Sequence, residues 1–323
     1  MTKSRILALG LLMAMAFGSA KAADNEPWKN RSSALIIDAY EMNIIDWEKM
    51  VANKRIAGFV SKASDGLPEV YDCRKKHKGD TVNHCKTMWR KYAVSRELYQ
   101  TRKLLAKAHG LLWGAYHLAR PGDPVDQANH FLDYAKPGPD DLMVLDIESL
   151  DAEKFMSLAD AEIFVRHIKT RTGRYPALYV NHDTARFIAA RREQYRLLSR
   201  LPLWYARYKP EIRGVFPMGN WDNYFLWQFS SASNCGDKSC PMRIDGTLND
   251  IDVNTAPVSR AELVRQWMAG ALLPEKPPAL QYLVSVEGAL GTTMVSGLGY
   301  GRVWPHLRVK LPETVTALNY QEY

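Results

Sequence analysis

The chain has 323 residues, 46% of them hydrophobic and 24% charged, a composition of one large or two ordinary folded domains that excludes disordered, collagen-like and coiled-coil proteins. After residue 22 no apolar run is long enough to cross a bilayer, so no transmembrane segment is expected in the mature chain. The formal charge is +8, but no dense Lys/Arg stripe with interleaved aromatics accompanies it, and nucleic acid is not an expected partner.

The first residues have the anatomy of a secretory signal. Lys3 and Arg5 supply a positive start, Ile6 to Gly18 a short apolar core, and Ala20-Lys21-Ala22 a small-residue cleavage site. Residues 1–22 are therefore expected to be removed, which makes the mature protein secreted or periplasmic. The cut takes away three bases and no acid, lowering the formal charge from +8 to +5. A mildly basic exported protein is drawn to anionic polymers such as cell-wall glycans.

In chain order, Ala34 to Asp38 is a buried strand ending in an acid, a helix follows Asp46-Trp47, and Gly58 to Lys62 is a second strand. Residues 67–90 are polar and cysteine-bearing and read as a loop. Ser95 to His109 read as a helix stopped by Gly110. Leu111 to His117 is a strand, Pro124 to Ala135 a helix, and Leu142 to Asp146 a strongly apolar strand that again ends in an acid. Ser157-x-x-Asp160 resembles a capping box for a helix with Ala161, Phe164, Val165 and Ile168 on one face, ended by Gly173. Residues 176–181, 203–206 and 225–229 are further strands. Helical signals thin out between about 200 and 255. Ser259-x-x-Glu262 opens one last helix, stopped by Gly270, and Pro274, Pro277 and Pro278 mark a break before a turn-rich tail. The alternation of strand and helix predicts a parallel sheet covered by helices, as a barrel or a doubly wound sheet.

Four cysteines fall in two close pairs. In an exported chain this suggests the local disulfides Cys73–Cys85 and Cys235–Cys240, one of three possible connectivities. The rival is a zinc site from Cys73, His77, His84 and Cys85, whose spacing fits no usual finger.

The most informative segment is Leu145-Asp146-Ile147-Glu148. Residues two apart on a strand share a face, so Asp146 and Glu148 project together, with one pKa raised by repulsion and burial. A carboxyl kept protonated in this way can protonate the leaving oxygen of a glycoside. Asp38 and Asp252 add two acids at or near strand ends, where α/β barrels carry their active sites. Tyr116, Tyr179, Trp204 and Trp227 lie in or beside strands and offer flat faces to sugar rings, or else fill the core. A metal reading would use these carboxylates with His117 or His182, but no spaced ligand set supports it. No Gly-x-Ser-x-Gly elbow is present, and pairing of the thiols disfavours a cysteine nucleophile.

The ordered set Asp38, Asp46-Trp47, Gly58 to Gly66, Gly114-Ala-Tyr-His117, Gln127-Ala-x-x-Phe131, Leu145-Asp-Ile-Glu148, Gly173-x-x-Pro176-x-x-Tyr179, Leu203-Trp204, Trp227-Gln228 and Asp252-x-Asn254 resembles glycoside hydrolase family 25, the Chalaropsis-type lysozymes or N-acetylmuramidases. The resemblance covers roughly residues 33–256. It implies a TIM-like (β/α) barrel with fewer helices than strands, no cofactor, and cleavage of the β-1,4 bond between N-acetylmuramic acid and N-acetylglucosamine in peptidoglycan glycan strands. On this pattern Glu148 is the general acid. Asp146 stabilises charge at the sugar, orienting the substrate's own acetamido group as an internal nucleophile, and Asp38 and Asp252 hold the network. Tyr116 and Tyr179 line the cleft, and Lys62 is a further substrate-binding candidate. The family's usual Lys-Ala-Thr-Glu-Gly stands here as Lys62-Ala-Ser-Asp-Gly66, with a shorter acid, followed by a cysteine-bearing insertion. Residues 23–270 are then a catalytic barrel and residues 271–323 an extension of unassigned role. The rival functions are a glycan-binding protein on the same scaffold and a metal-assisted hydrolase of another envelope polymer.

Overall fold

The computed structural model describes residues 25–68, 82–248 (side chains from 85) and 251–277, and the backbone of 282–288 and 291–297. The chain divides into two compact units after Pro274. In the first, seven strands run parallel, each beside the next: β1 (Leu35–Ala39), β2 (Ile56–Asp65), β3 (Leu112–Leu118), β4 (Leu142–Ile147), β5 (Ala177–Asn181), β6 (Leu203–Ala206) and β7 (Leu226–Ser230). The eighth, β8 (Asp252–Thr255), is antiparallel to both β7 and β1 and closes the barrel. Six helices are described: α1 (Trp47–Ala52), α2 (Val82–Ala108), α3 (Pro124–Ala135), α4 (Leu158–Thr172), α5 (His182–Ala190) and α6 (Arg260–Ala269). The fold is thus the expected barrel with fewer helices than strands.

Both faces of each strand are covered, which is why the strands read as continuous apolar runs. Ile36, Val60, Val144, Ala177, Trp204 and Leu226 pack inside the barrel. Leu35, Ile37, Phe59, Trp113, Leu145 and Val180 pack outward on the helices. Helix starts follow the capping chemistry in the sequence. Asp123 accepts from the amides of Val125 and Asp126 ahead of a proline in the first turn of α3. Ser157 and Ser259 cap α4 and α6 from the amides three residues on, and Gly173 and Gly270 end those helices with φ of 74° and 52°.

The end of the barrel away from the acids is closed by Trp267 of α6, 1% exposed, whose indole N–H donates to the Trp113 carbonyl at 2.9 Å. Gly58 and Gly114 make room for that ring: a Cβ on either would stand 3.3 and 3.2 Å from it. Glycine in a strand here marks close packing by a neighbour.

Several expectations are corrected. The loop assigned to 67–90 ends by Val82, where α2 begins, because its first turns mix Lys86, Arg90 and Lys91 with Met88 and Trp89 and show no apolar stripe. Helix α5 and strand β8 carried no signal strong enough to be anticipated. The second unit contains an antiparallel hairpin, β9 (Tyr282–Gly288) with β10 (Gly291–Gly297), in place of turns alone. Cys235 and Cys240 are joined as expected. Cys85 is also disulfide-bonded, which takes it out of the zinc alternative; Cys73, His77 and the His84 side chain lie outside the described residues, as does the signal segment. Among the described residues no helix is long and apolar enough to cross a membrane.

Trp267→Ala should destabilise the barrel by about 3–5 kcal/mol, as expected for deleting a fully buried aromatic plug. Urea unfolding checks this, and a loss under 1 kcal/mol would show that the ring does not close the core.

Candidate active site

The acids meet at one end of the barrel for a topological reason. Asp38 is near the end of β1, Asp146 is in β4, and Glu148 follows directly after it. Asp252 is the first residue of β8, but β8 runs against its neighbours, so its start lies where β1 to β7 finish, and Asp252 pairs directly with Asp38. Asp38, Tyr116, Asp146, Glu148, Tyr179, Trp204, Gln228 and Asp252 surround one cavity of about 40 Å³. The inward projection of both acids of the Asp-x-Glu segment is therefore present.

A network of fixed hydrogen bonds holds the floor. The Trp204 indole can only donate, and it does so to Asn254 Oδ1 at 2.6 Å. The Asn254 NH₂ group is thereby turned to Asp38 Oδ2 at 2.6 Å and to the Ile36 carbonyl at 3.1 Å. In the same way, Tyr179 and Tyr208 donate to Gln228 Oε1 at 2.7 and 2.6 Å, and Gln228 Nε2 faces Asp38 at 3.1 and 3.3 Å. Asp38 is 5% exposed. Burial raises its pKa from 3.8 to about 6, against the two amide donors that favour its anion.

Asp146 has the opposite surroundings. It is 6% exposed, and its Oδ1 is buried without a hydrogen-bond partner. Burial, then the charges of Glu148 and Asp38, push its pKa well above the usual carboxylate range. Glu148 sits further out. Burial raises its pKa too; Arg120 and Lys62 pull it down and Asp65 pushes it up. Arg120 is clasped by Asp65 through Nε–Oδ1 at 2.5 Å and Nη2–Oδ2 at 3.2 Å. Gln127 fixes the backbone beneath it, accepting from the Arg120 amide at 3.1 Å and donating to its carbonyl at 2.8 Å. Arg120 and its partnership with Asp65 were not found by sequence reasoning. An arginine two residues past a strand carries no local mark of its partner.

Other candidates fall elsewhere. Trp227 points away from the cavity: its indole N–H donates to the Arg207 carbonyl at 2.8 Å, and its ring meets the edge of Trp28 at 5.5 Å in the outer layer. Lys62 does not line the small cavity but pairs with Glu41 at 2.7 Å beside it. His117 is wholly buried behind the sheet between Ser64 (2.8 Å) and Gln127 (3.0 Å), with its pKa pushed down to about 4 by burial. His182 Nδ1 lies 2.6 Å from the Tyr205 hydroxyl. Among the described residues no group of three or more His, Cys, Asp or Glu side chains is placed to hold a metal ion.

Residues 90–238 match the model of the family described as glycosyl hydrolases family 25. The matched family is the one that the motifs resemble. The matched stretch contains Tyr116, Asp146, Glu148, Tyr179, Trp204 and Gln228, whereas Asp38, Asp252 and Asn254 lie outside it and are joined to it by the barrel. The fold is shared with the bacterial lysozyme from Streptomyces coelicolor (21% identity, covering 74% of this chain and 99% of that one, TM-score 0.50). It is shared equally with the muramidase from Acremonium alcalophilum (22% identity, 73% and 99%, TM-score 0.51). A search of curated protein sequences gives no match.

The raised carboxyls predict a pH-dependent stability. The folded state retains protons on Asp38 and Asp146 that the unfolded chain has already released, so stability falls as pH rises from about 4 through 6 and beyond. Asp146→Asn removes one buried ionisation. It should be more stable than wild type by about 1–3 kcal/mol at pH 8, with the gap closing toward pH 4. Thermal unfolding at the two pH values checks this; a gap independent of pH would place the proton elsewhere.

Proposed function

We propose that the barrel is a muramidase that hydrolyses the β-1,4 bond between N-acetylmuramic acid and N-acetylglucosamine in peptidoglycan. The observation that carries the reading is the carboxyl pair of β4, with Glu148 at the mouth of the cavity and Asp146 beneath it. Glu148 is the outer of the two and is reachable by a glycosidic oxygen, to which it delivers its proton as the bond to the anomeric carbon breaks. Positive charge then develops on the sugar ring, over the Asp38 carboxylate, where fixed charge in a poorly hydrated site is most effective. The unpartnered Asp146 Oδ1 supplies an acceptor for an N–H group of the substrate. An acetamido group bears one beside the anomeric carbon, and fixing it there would aim its carbonyl oxygen at that carbon. Tyr116, Tyr179 and Trp204 form the aromatic wall. Asp252, paired with Asp38, completes the acidic floor.

The family match and the lysozyme and muramidase named above support this substrate class. The N-terminal sequence supports export, with residues 1–22 removed, residues 23–270 forming the catalytic part and residues 271–323 an extension. Peptidoglycan is the natural partner of an exported protein of mild positive charge.

Glu148→Gln keeps the shape of the side chain and loses the proton. It should fold normally and lower turnover of purified peptidoglycan by about 10²–10⁴-fold or more. Mass spectrometry of the released fragments should find muramic acid at the new reducing end with wild-type protein. Glucosamine at that end would contradict the linkage, and wild-type rates from Glu148→Gln would remove Glu148 from the mechanism.

A further inference from the structure

A second, larger cavity of about 470 Å³ lies beside the catalytic one, between β2 and α2. Its origin is legible in β2. At the middle of the barrel the helix-facing position is Phe59, packed on Trp47 and Trp113 with centroids 4.9 and 6.0 Å away. Toward the catalytic end that face shrinks to Ser61 and Ala63, and α2 stands off from the strand. A void of this size with a polar lining is water-filled, and large hollows with convergent polar groups are where proteins take ligands.

The lining has a direction and a charge. Its back wall is aromatic, with Tyr134 meeting Tyr92 and Tyr99 edge-on at 6.0 and 5.5 Å. At its front stands the Lys62–Glu41 ion pair, with Asp65 4.0 Å from the same ammonium. Lys62 lines this cavity and stands in register beside Tyr116 of β3, which lines the smaller one, so the two cavities are neighbours. Arg102 at the base is buried, its guanidinium donating to the Tyr40 and Asn43 carbonyls at 2.8 and 2.6 Å. Lys62, Lys91 and Arg102 outnumber Glu41 and Asp65, and Asp65 is also held by Arg120. The surplus positive charge is on Lys91, exposed at the rim.

The occupant should therefore carry a carboxylate and small apolar groups, and be tethered to a sugar next to the scissile bond. We propose that this cavity is a subsite for the peptide branch of peptidoglycan, with Lys91 receiving a branch carboxylate and the tyrosine wall its methyl groups. The proposal rests on the muramidase reading for the identity of the polymer. Glycan without its peptides offers only the lactyl carboxylate of muramic acid, held close to the sugar ring and without the further methyl groups that the tyrosine wall would take. Binding energy collected by the branch, remote from the reacting bond, would act as substrate selection.

The test compares the full chain on peptidoglycan and on the same glycan stripped of its peptides by an amidase, counting new reducing ends. The peptide-bearing polymer should be cut with a kcat/KM about tenfold higher, the worth of one charge-assisted hydrogen bond. Lys91→Ala and Lys91→Glu should erase most of that preference through KM, with the rate on stripped glycan unchanged. Equal rates of wild type on both polymers, or variants that slow both equally, would overturn the subsite. If neither polymer is cut, the muramidase reading is what fails. Calorimetric titration of the soluble branch peptide then still decides the cavity: binding lost in Lys91→Glu supports it, and no binding by wild type overturns it.

Discussion

Two carboxamides turned toward one carboxylate set the electrostatics of this barrel. Trp204 fixes Asn254 and two tyrosines fix Gln228, so that both NH₂ groups must face Asp38. Asp38 is thereby an acceptor of protein N–H bonds although it is buried. Asp146, given no such donors, is the carboxyl that resists ionisation. The division of labour among four acids at one strand end follows from which of them the barrel floor has supplied with donors. It also explains why the floor is built from polar side chains on four different strands: none of them could be satisfied by its neighbours in sequence.

Closure by β8 is the second constraint. A parallel last strand would have put its leading residue at the far end of the barrel. The reversal carries Asp252 to the end where the other acids lie and brings Asn254 to the Trp204 indole. The opposite end is closed by Trp267, seated over two strand glycines. The polar layer, with its buried and partly unpaired groups, is thus carried by an apolar layer beneath it.

What the sequence made legible follows from this layout. Apolar runs ending in an acid located β1 and β4, α3 was read over its full length from Pro124 to Ala135, and cap residues located α4 and α6 nearly to the residue. The parity of doubly covered strands was not legible, because both faces are apolar and hydrophobicity then fails to say which residue turns inward. Trp227 and Gln228 illustrate this: the aromatic looked like a sugar platform, yet the glutamine is the inward one. In β4 the parity was readable only because two acids two residues apart must share a face. Strand β8 is four residues long, three of them polar, and its direction is a property of its partners. Helix α2 began earlier than expected because its first turns lack a stripe, and the hollow under those turns escaped notice for the same reason.

The central claim is that the site holds a proton on Asp146 while Asp38 stays an acceptor. Carbon-13 NMR titration of the aspartate and glutamate carboxyls, assigned with Asp38→Asn, Asp146→Asn and Glu148→Gln, tests it most directly. The account predicts that the Asp146 carboxyl titrates well above the usual carboxylate range, with Asp38 titrating near 6. If all three carboxyls ionise together near pH 4, the barrel floor does not sort its acids and the account is wrong.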